Sequence, residues 1–299
     1  MERLAIQTKF SILLLAALIL AAPVLCACAD AQPPAFSGSG SGKTPKAAPQ
    51  AELAKGRMPE ASGTRVIADA GVVVDASNTN FGYVMVRSEP NDKLLKTRVS
   101  NGDGAYNYDQ RADNAFETYP LQMGDGTYDL QVLEQAEGTM YSRVFNTDVP
   151  VKLDCPEIPF LYPNQYVNYA RGGTAVSEAI ELTSGMTDTQ KIVKKLYRYV
   201  VDHIEYDYDK AATVKSGYLP SPDETLAAGK GICFDYAALF ATMLRARGIP
   251  VKLVIGYVAP DNLYHAWNLV YVDGVWQLFD ATLDGEGHSE TDYAGERVY

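Results

Sequence analysis

Cys233 stands at the head of the stretch CFDYAALFATMLRARGIP, just after two glycines in GKGI. A thiol attacks well only as thiolate. The first turn of a helix favours that charge through its dipole and free N–H groups, and a nearby imidazole favours it further. His265 opens YHAWNLVYVDG, and Asp280 closes VWQLFDAT. Nucleophile, base and a carboxylate to orient the base form the set that acyl transfer needs. The three are far apart in the chain, so the elements between them must bring them together.

Those elements can be read from periodicity. After Cys233 the apolar residues Ala237, Phe240 and Leu244 share one helical face, and Gly248 followed by Pro250 ends the helix. Gly229 and Gly231 let the chain turn tightly before it. Three strand patterns follow: VKLVIGYVA, HAWNLVYVDG and VWQLFDAT. Asp273-Gly274 between the last two is a hairpin signal. The start of one strand then lies beside the end of the other, which puts the Asp280 carboxylate near the His265 ring. Upstream, TDTQKIVKKLYRYVVDHIEYD reads as a helix with a capping box from Thr187 to Gln190. Its apolar stripe runs through Ile192, Val193, Leu196, Tyr199, Val200 and His203 or Ile204, so His203 is expected to be packed.

Cysteine, histidine and aspartate in this order, on helix, strand and strand, resemble the transglutaminase-like superfamily. The likeness rests on GKGICFDYA, YHAWNLVYVDGVW and FDAT, with SPDETLAAGKG as the approach to the nucleophile, and it covers about residues 157–285. The resemblance implies an α+β, papain-like core in which the helix carrying the cysteine packs on an antiparallel sheet. It implies that Cys233 attacks an amide carbonyl to give a thioester, that His265 protonates the leaving amine, and that Asp280 orients His265. The backbone N–H of Cys233 is the natural first oxyanion donor. Tyr206 or Tyr208 is a candidate second donor. Trp267 is expected in the core or as a pocket wall, and Asp235 as a support for the helix start. Such a triad needs no metal and no cofactor. If water resolves the thioester, the protein is a cysteine peptidase or amidase, the favoured outcome. If a lysine amine does, it is a crosslinking transglutaminase. A non-catalytic surface-binding protein is the third reading. The tail GEGHSETDYAGERVY is shorter than in many relatives, so a minimal core is expected, with His288 exposed.

The rest of the chain supplies context. Residues 64–154 show short alternating strands, such as TYDLQVLE, and turns at NGDG and GDG, which read as an all-β, Ig-like sandwich acting as spacer or binding module. Residues 155–299 are the expected catalytic domain, entered through the Pro- and Tyr-rich CPEIPFLYPNQYVNY. Residues 29–63 read as a Pro/Gly/Ser/Ala-rich tether. Residues 1–28 have the charged start and apolar run of a signal peptide or membrane anchor. LCAC resembles a lipobox, with Cys28 as the lipidated residue. An extracytoplasmic, membrane-anchored or secreted protein is expected, acting on a protein, peptide or cell-wall substrate. Only Cys155 and Cys233 lie in the body, and Cys155 is expected as a buried, inert thiol not paired with Cys233. The net charge of −11 argues against nucleic acid as partner, since phosphate binding needs surplus Lys and Arg.

Overall fold

The computed structural model describes residues 57–102, 104–283 and 289–299. The leader, Cys28, most of the tether and His288 lie outside the described residues. Strands β1 (Val66–Asp69), β2 (Val72–Asp75), β3 (Tyr83–Ser88) and β6 (Glu117–Pro120) form one antiparallel sheet in the order β1-β2-β3-β6. Strands β4 (Leu95–Asn101), β5 (Gly104–Gln110), β7 (Gly126–Glu137) and β8 (Met140–Val151) form a second, in the order β5-β4-β7-β8. The alternation in TYDLQVLE has the expected result: Tyr128, Leu130 and Val132 are buried, in one core with Val74, Val84 and Val86 of the other sheet. Ordered contacts begin before Thr64. The Asn78 amide donates to the Glu60 carbonyl, and the Gly63 N–H donates to Asp75.

The second half holds helices α1 (Thr174–Leu182), α2 (Thr189–His203), α3 (Tyr208–Thr213), α4 (Pro222–Ala228) and α5 (Cys233–Ala246). A two-residue parallel pair joins β9 (Glu205–Tyr206) to β10 (Lys230–Gly231). Strands β11 (Val251–Val258), β12 (Leu263–Val272), β13 (Val275–Phe279) and β14 (Tyr293–Val298) make an antiparallel sheet in the order β13-β12-β11-β14. Helix α5 packs on it through Ala237, Phe240 and Leu244, all in the core shared with Leu253, Ala266 and Val270. Asp273 and Gly274 take φ of 53° and 84° in the turn between β12 and β13, the left-handed pair that a tight hairpin requires.

Three expectations are corrected. Helix α2 is capped by Asp188, whose side chain accepts the Lys191 N–H at 3.0 Å, rather than by Thr187. His203 is exposed and stacks on Tyr199 at 4.1 Å; Ile204 takes the buried place. The tail is no loose end, because β14 pairs along β11 and adds a fourth strand to the sheet.

The two halves share one core. Tyr106 and Tyr108 of β5 meet Tyr166 and Tyr299, and the last two rings stack at 3.7 Å. Arg297 donates to the Ala105 carbonyl at 2.7 Å. At Gly82, with φ of 79°, a Cβ would sit 2.5 Å from the Pro159 ring, so the β module and the connecting segment touch where only glycine fits. Arg245 of α5 is fully buried and donates to the main-chain oxygens of Tyr162, Val251 and Tyr299.

Candidate active site

Cys233 is the first residue of α5 and is partly exposed. Two features fix its approach. Gly229 closes α4 in the left-handed conformation, with φ of 64°. Gly231 lies against the helix start so closely that a Cβ would fall 2.6 Å from Cβ of Asp235. Asp235 is the third residue of α5, and its carboxylate reaches back to the Ile232 N–H at 2.9 Å, satisfying one of the amides that a helix start leaves open. It also accepts from Lys210 at 2.6 Å and from the Tyr218 hydroxyl, while fully buried. Asp235 is thus tied to α3 and to the loop after it, and its place is the helix start. In the first turn the Asp235 and Tyr236 N–H groups both donate to the Ile232 carbonyl, at 2.9 and 3.1 Å, whereas the Cys233 N–H comes before the first intrahelical bond, as helix-start amides do.

The hairpin does what its register dictates. Pairing between β12 and β13 ends at Asn268 and Phe279, so Asp280 emerges just beyond, beside His265. His265 Nε2 lies 2.7 Å from Asp280 Oδ2, and both residues are about 95% buried. Nε2 is thereby taken by Asp280, and the Cys233 side chain also interacts with the His265 imidazole. Burial alone would discharge the imidazole. The bonds and charges of Asp280 and Cys233 outweigh it and push the His265 pKa up to about 9. Burial likewise acts to raise the Asp280 pKa, but the His265 partner holds it below the usual carboxylate range.

Asp280 is held from every side. Its Oδ1 accepts the Thr282 N–H at 2.9 Å, the Thr282 hydroxyl at 2.8 Å and the Leu283 N–H at 3.1 Å. Its Oδ2 accepts the Tyr293 hydroxyl at 3.0 Å as well as the imidazole. Tyr197 donates to its main-chain oxygen at 2.7 Å. Sequence reasoning missed Tyr197, Thr282 and Tyr293. Thr282 stands within the FDAT motif and could have been found there as a hydroxyl two residues past an acid. Tyr293 could not, because its strand carries no apolar alternation.

The other expected residues separate. Tyr206 is held beside Gly231 by the β9–β10 pair and is near enough for the Cys233 charge to act on it. Burial first, and then that charge, raise its pKa, so the phenol keeps its proton and can donate. Tyr208 is 78% exposed and packs on the Tyr206 ring at 5.0 Å, outside the immediate surroundings of the thiol. Trp267 is 3% exposed, stacked behind His265 at 6.4 Å and covered by Tyr293 at 5.1 Å, so it presents no wall to a substrate. Residues 265 and 267 share one face of β12, and β14 covers the second of them. Cys155 and Cys233 are both free thiols, and Cys155 is partly exposed rather than buried as expected. Burial raises the Cys155 pKa, and the Glu157 charge adds to it.

A family model of the transglutaminase-like superfamily matches residues 177–281, the span from α1 to the residue after Asp280. Residues 177–281 match a transglutaminase-like core domain. Among curated proteins, the chain is 34% identical to the kyphoscoliosis peptidase of Homo sapiens over 138 residues, 41% of this chain and 20% of that protein. It is 31% identical over 103 residues to the UPF0252 protein MJ1282 of Methanocaldococcus jannaschii, covering 31% of this chain and 29% of that one. The chain thus spans about a fifth to under a third of the length of these relatives. Among solved structures, the periplasmic domain of TgpA from Pseudomonas aeruginosa aligns with a TM-score of 0.33 at 17% identity, covering 73% of this chain and 95% of that one.

Proposed function

We propose that this protein is a thiol enzyme that cleaves amide or peptide bonds through a thioester formed on Cys233. The observation that carries this reading is the buried His265–Asp280 pair at 2.7 Å, whose imidazole meets the sulfur of a helix-first cysteine. In the scheme, His265 takes the thiol proton and Cys233 attacks the carbonyl carbon. The Cys233 N–H and the Tyr206 hydroxyl stabilise the oxyanion. His265 then gives its proton to the leaving amine. Water, deprotonated by the same ring, attacks the thioester and frees the acid and the thiol. One relative bears on the choice of water over an amine, and only through a name: the human protein is called a peptidase. The leader, with Cys28 as lipid site, and the cell-surface setting belong to the same proposal.

The test is iodoacetamide labelling followed by intact mass near neutral pH, beside a fluorogenic peptide-amide assay. The expected result is fast single-site labelling that Cys233→Ala abolishes, with Cys155 left unmodified. His265→Ala is expected to lower amide hydrolysis by roughly 10²–10⁴-fold. Slow labelling indifferent to His265 would sink the proposal.

A further inference from the structure

We propose that the β module binds a primary ammonium on an aliphatic stem, such as a lysine side chain, in a cleft at one end of its sandwich. The cleft lies between the two sheets and has a volume of about 430 Å³, enough for a small ligand. Its apolar lining includes Val72, Leu95 and Val144, and its polar lining includes Ser88, Glu89 and Glu134. Strand periodicity explains why polar groups face inward there. In β3, Val84 and Val86 point into the core, and Ser88 follows at the same spacing. In β7, Leu130 and Val132 point inward, and Glu134 is next on that face.

Ser88 is 2% exposed, and its hydroxyl has no hydrogen-bond partner. A hydroxyl hidden from water without a partner costs free energy, so something polar in the cleft would relieve it. Two carboxylates accompany it, and none of the residues lining the cleft is Lys or Arg. An ammonium has three donors and no acceptor, which matches two carboxylates and a hydroxyl oxygen; its methylene stem suits the valine and leucine walls. The cleft is remote from the junction with the core. Gly82 at the other end of β3 touches Pro159, and Ser88 lies roughly 20 Å further along the strand at about 3.3 Å per residue. The binding therefore neither requires nor reports on the thiol.

The experiment titrates the full-length, isotope-labelled protein with Nα-acetyl-lysine methylamide and follows backbone amides by NMR. Saturable shifts at Gly71, Ser88 and Val144 are expected. They should be absent with the Nε-acetylated probe, and the affinity should fall at least tenfold in Glu134→Gln. Ser88→Ala should weaken binding as well, and serves if Glu134→Gln disturbs the fold. No saturable shift at these amides overturns the proposal. So do equal shifts with the acetylated probe, or an affinity unchanged in both variants.

Discussion

The imidazole at position 265 carries a charge that burial alone would remove, and the Asp280 carboxylate is a main reason it stays. Asp280→Asn withdraws that partner, so the alkaline midpoint of thiol alkylation and amide hydrolysis should fall from about 9 toward the ordinary histidine value of 6.5. A pH–rate profile that keeps its alkaline limb near 9 would refute this. The same shift sets a stability window. Because the folded-state pKa is raised, the stabilisation from charged His265 is complete below about pH 6.5 and fades as pH climbs through about 9. Asp280 is shifted down, so its share is present above the ordinary carboxylate range and is lost on acidification. Denaturant melts across pH 6 to 10 should show the alkaline loss in the wild type and a smaller one in His265→Gln. Tyr293→Phe removes one of five donors to the Asp280 carboxyl, at about 0.5–1.5 kcal/mol; it should slow turnover modestly while the labelling site stays the same. The meeting of His265 with Asp280 and the place of Cys233 at a helix start were legible, because hairpin register and helix periodicity fix where those residues fall. The clamp on Asp280 was not, because a phenol says nothing about its partner until its strand is placed.

The start of α5 is the element on which the thiol's position depends. Gly231 sits against Asp235 with no room for a methyl group, so Gly231→Ala must push the aspartate or the chain aside. A cost of about 1–3 kcal/mol is expected, visible as a lower melting temperature together with slower Cys233 labelling. A variant as stable and as reactive as wild type would show that the close approach is relaxed at no cost. This helix and the β12–β13 hairpin were readable, since a 3.6-residue period and an Asp-Gly turn are strong local signals. The strand β14 was not. YAGERV is exposed along most of its length and takes its structure from pairing with β11. The cap of α2 fell one residue from the expected site, because Asp188 accepts the Lys191 N–H and so starts the helix one residue later than a Thr187 cap would.

At the scale of the molecule, the β module and the thiol-bearing core are not separable beads. The tyrosines 106, 108, 166 and 299 form one cluster across their boundary, and Tyr108 is 1% exposed. Removing residues 64–153 would strip that cover, so the remainder is expected to lose cooperative melting and activity on any amide, small reporters included. Retained reporter hydrolysis would mean that the core stands alone. The boundary was read from the Pro- and Tyr-rich segment that begins at Cys155, after which strand patterns give way to helical ones, and such a change of period cannot reveal a shared interior. The place of Tyr293 has a consequence in time. Synthesis delivers Cys233, His265 and Asp280 first, and the phenol that completes the hydrogen bonding of Asp280 only afterwards, on a strand that must pair back onto β11. A released chain ending at residue 290 would hold Cys233, His265 and Asp280 but lack β14 and the Tyr293 hydroxyl, and it is expected to alkylate more slowly than the whole protein.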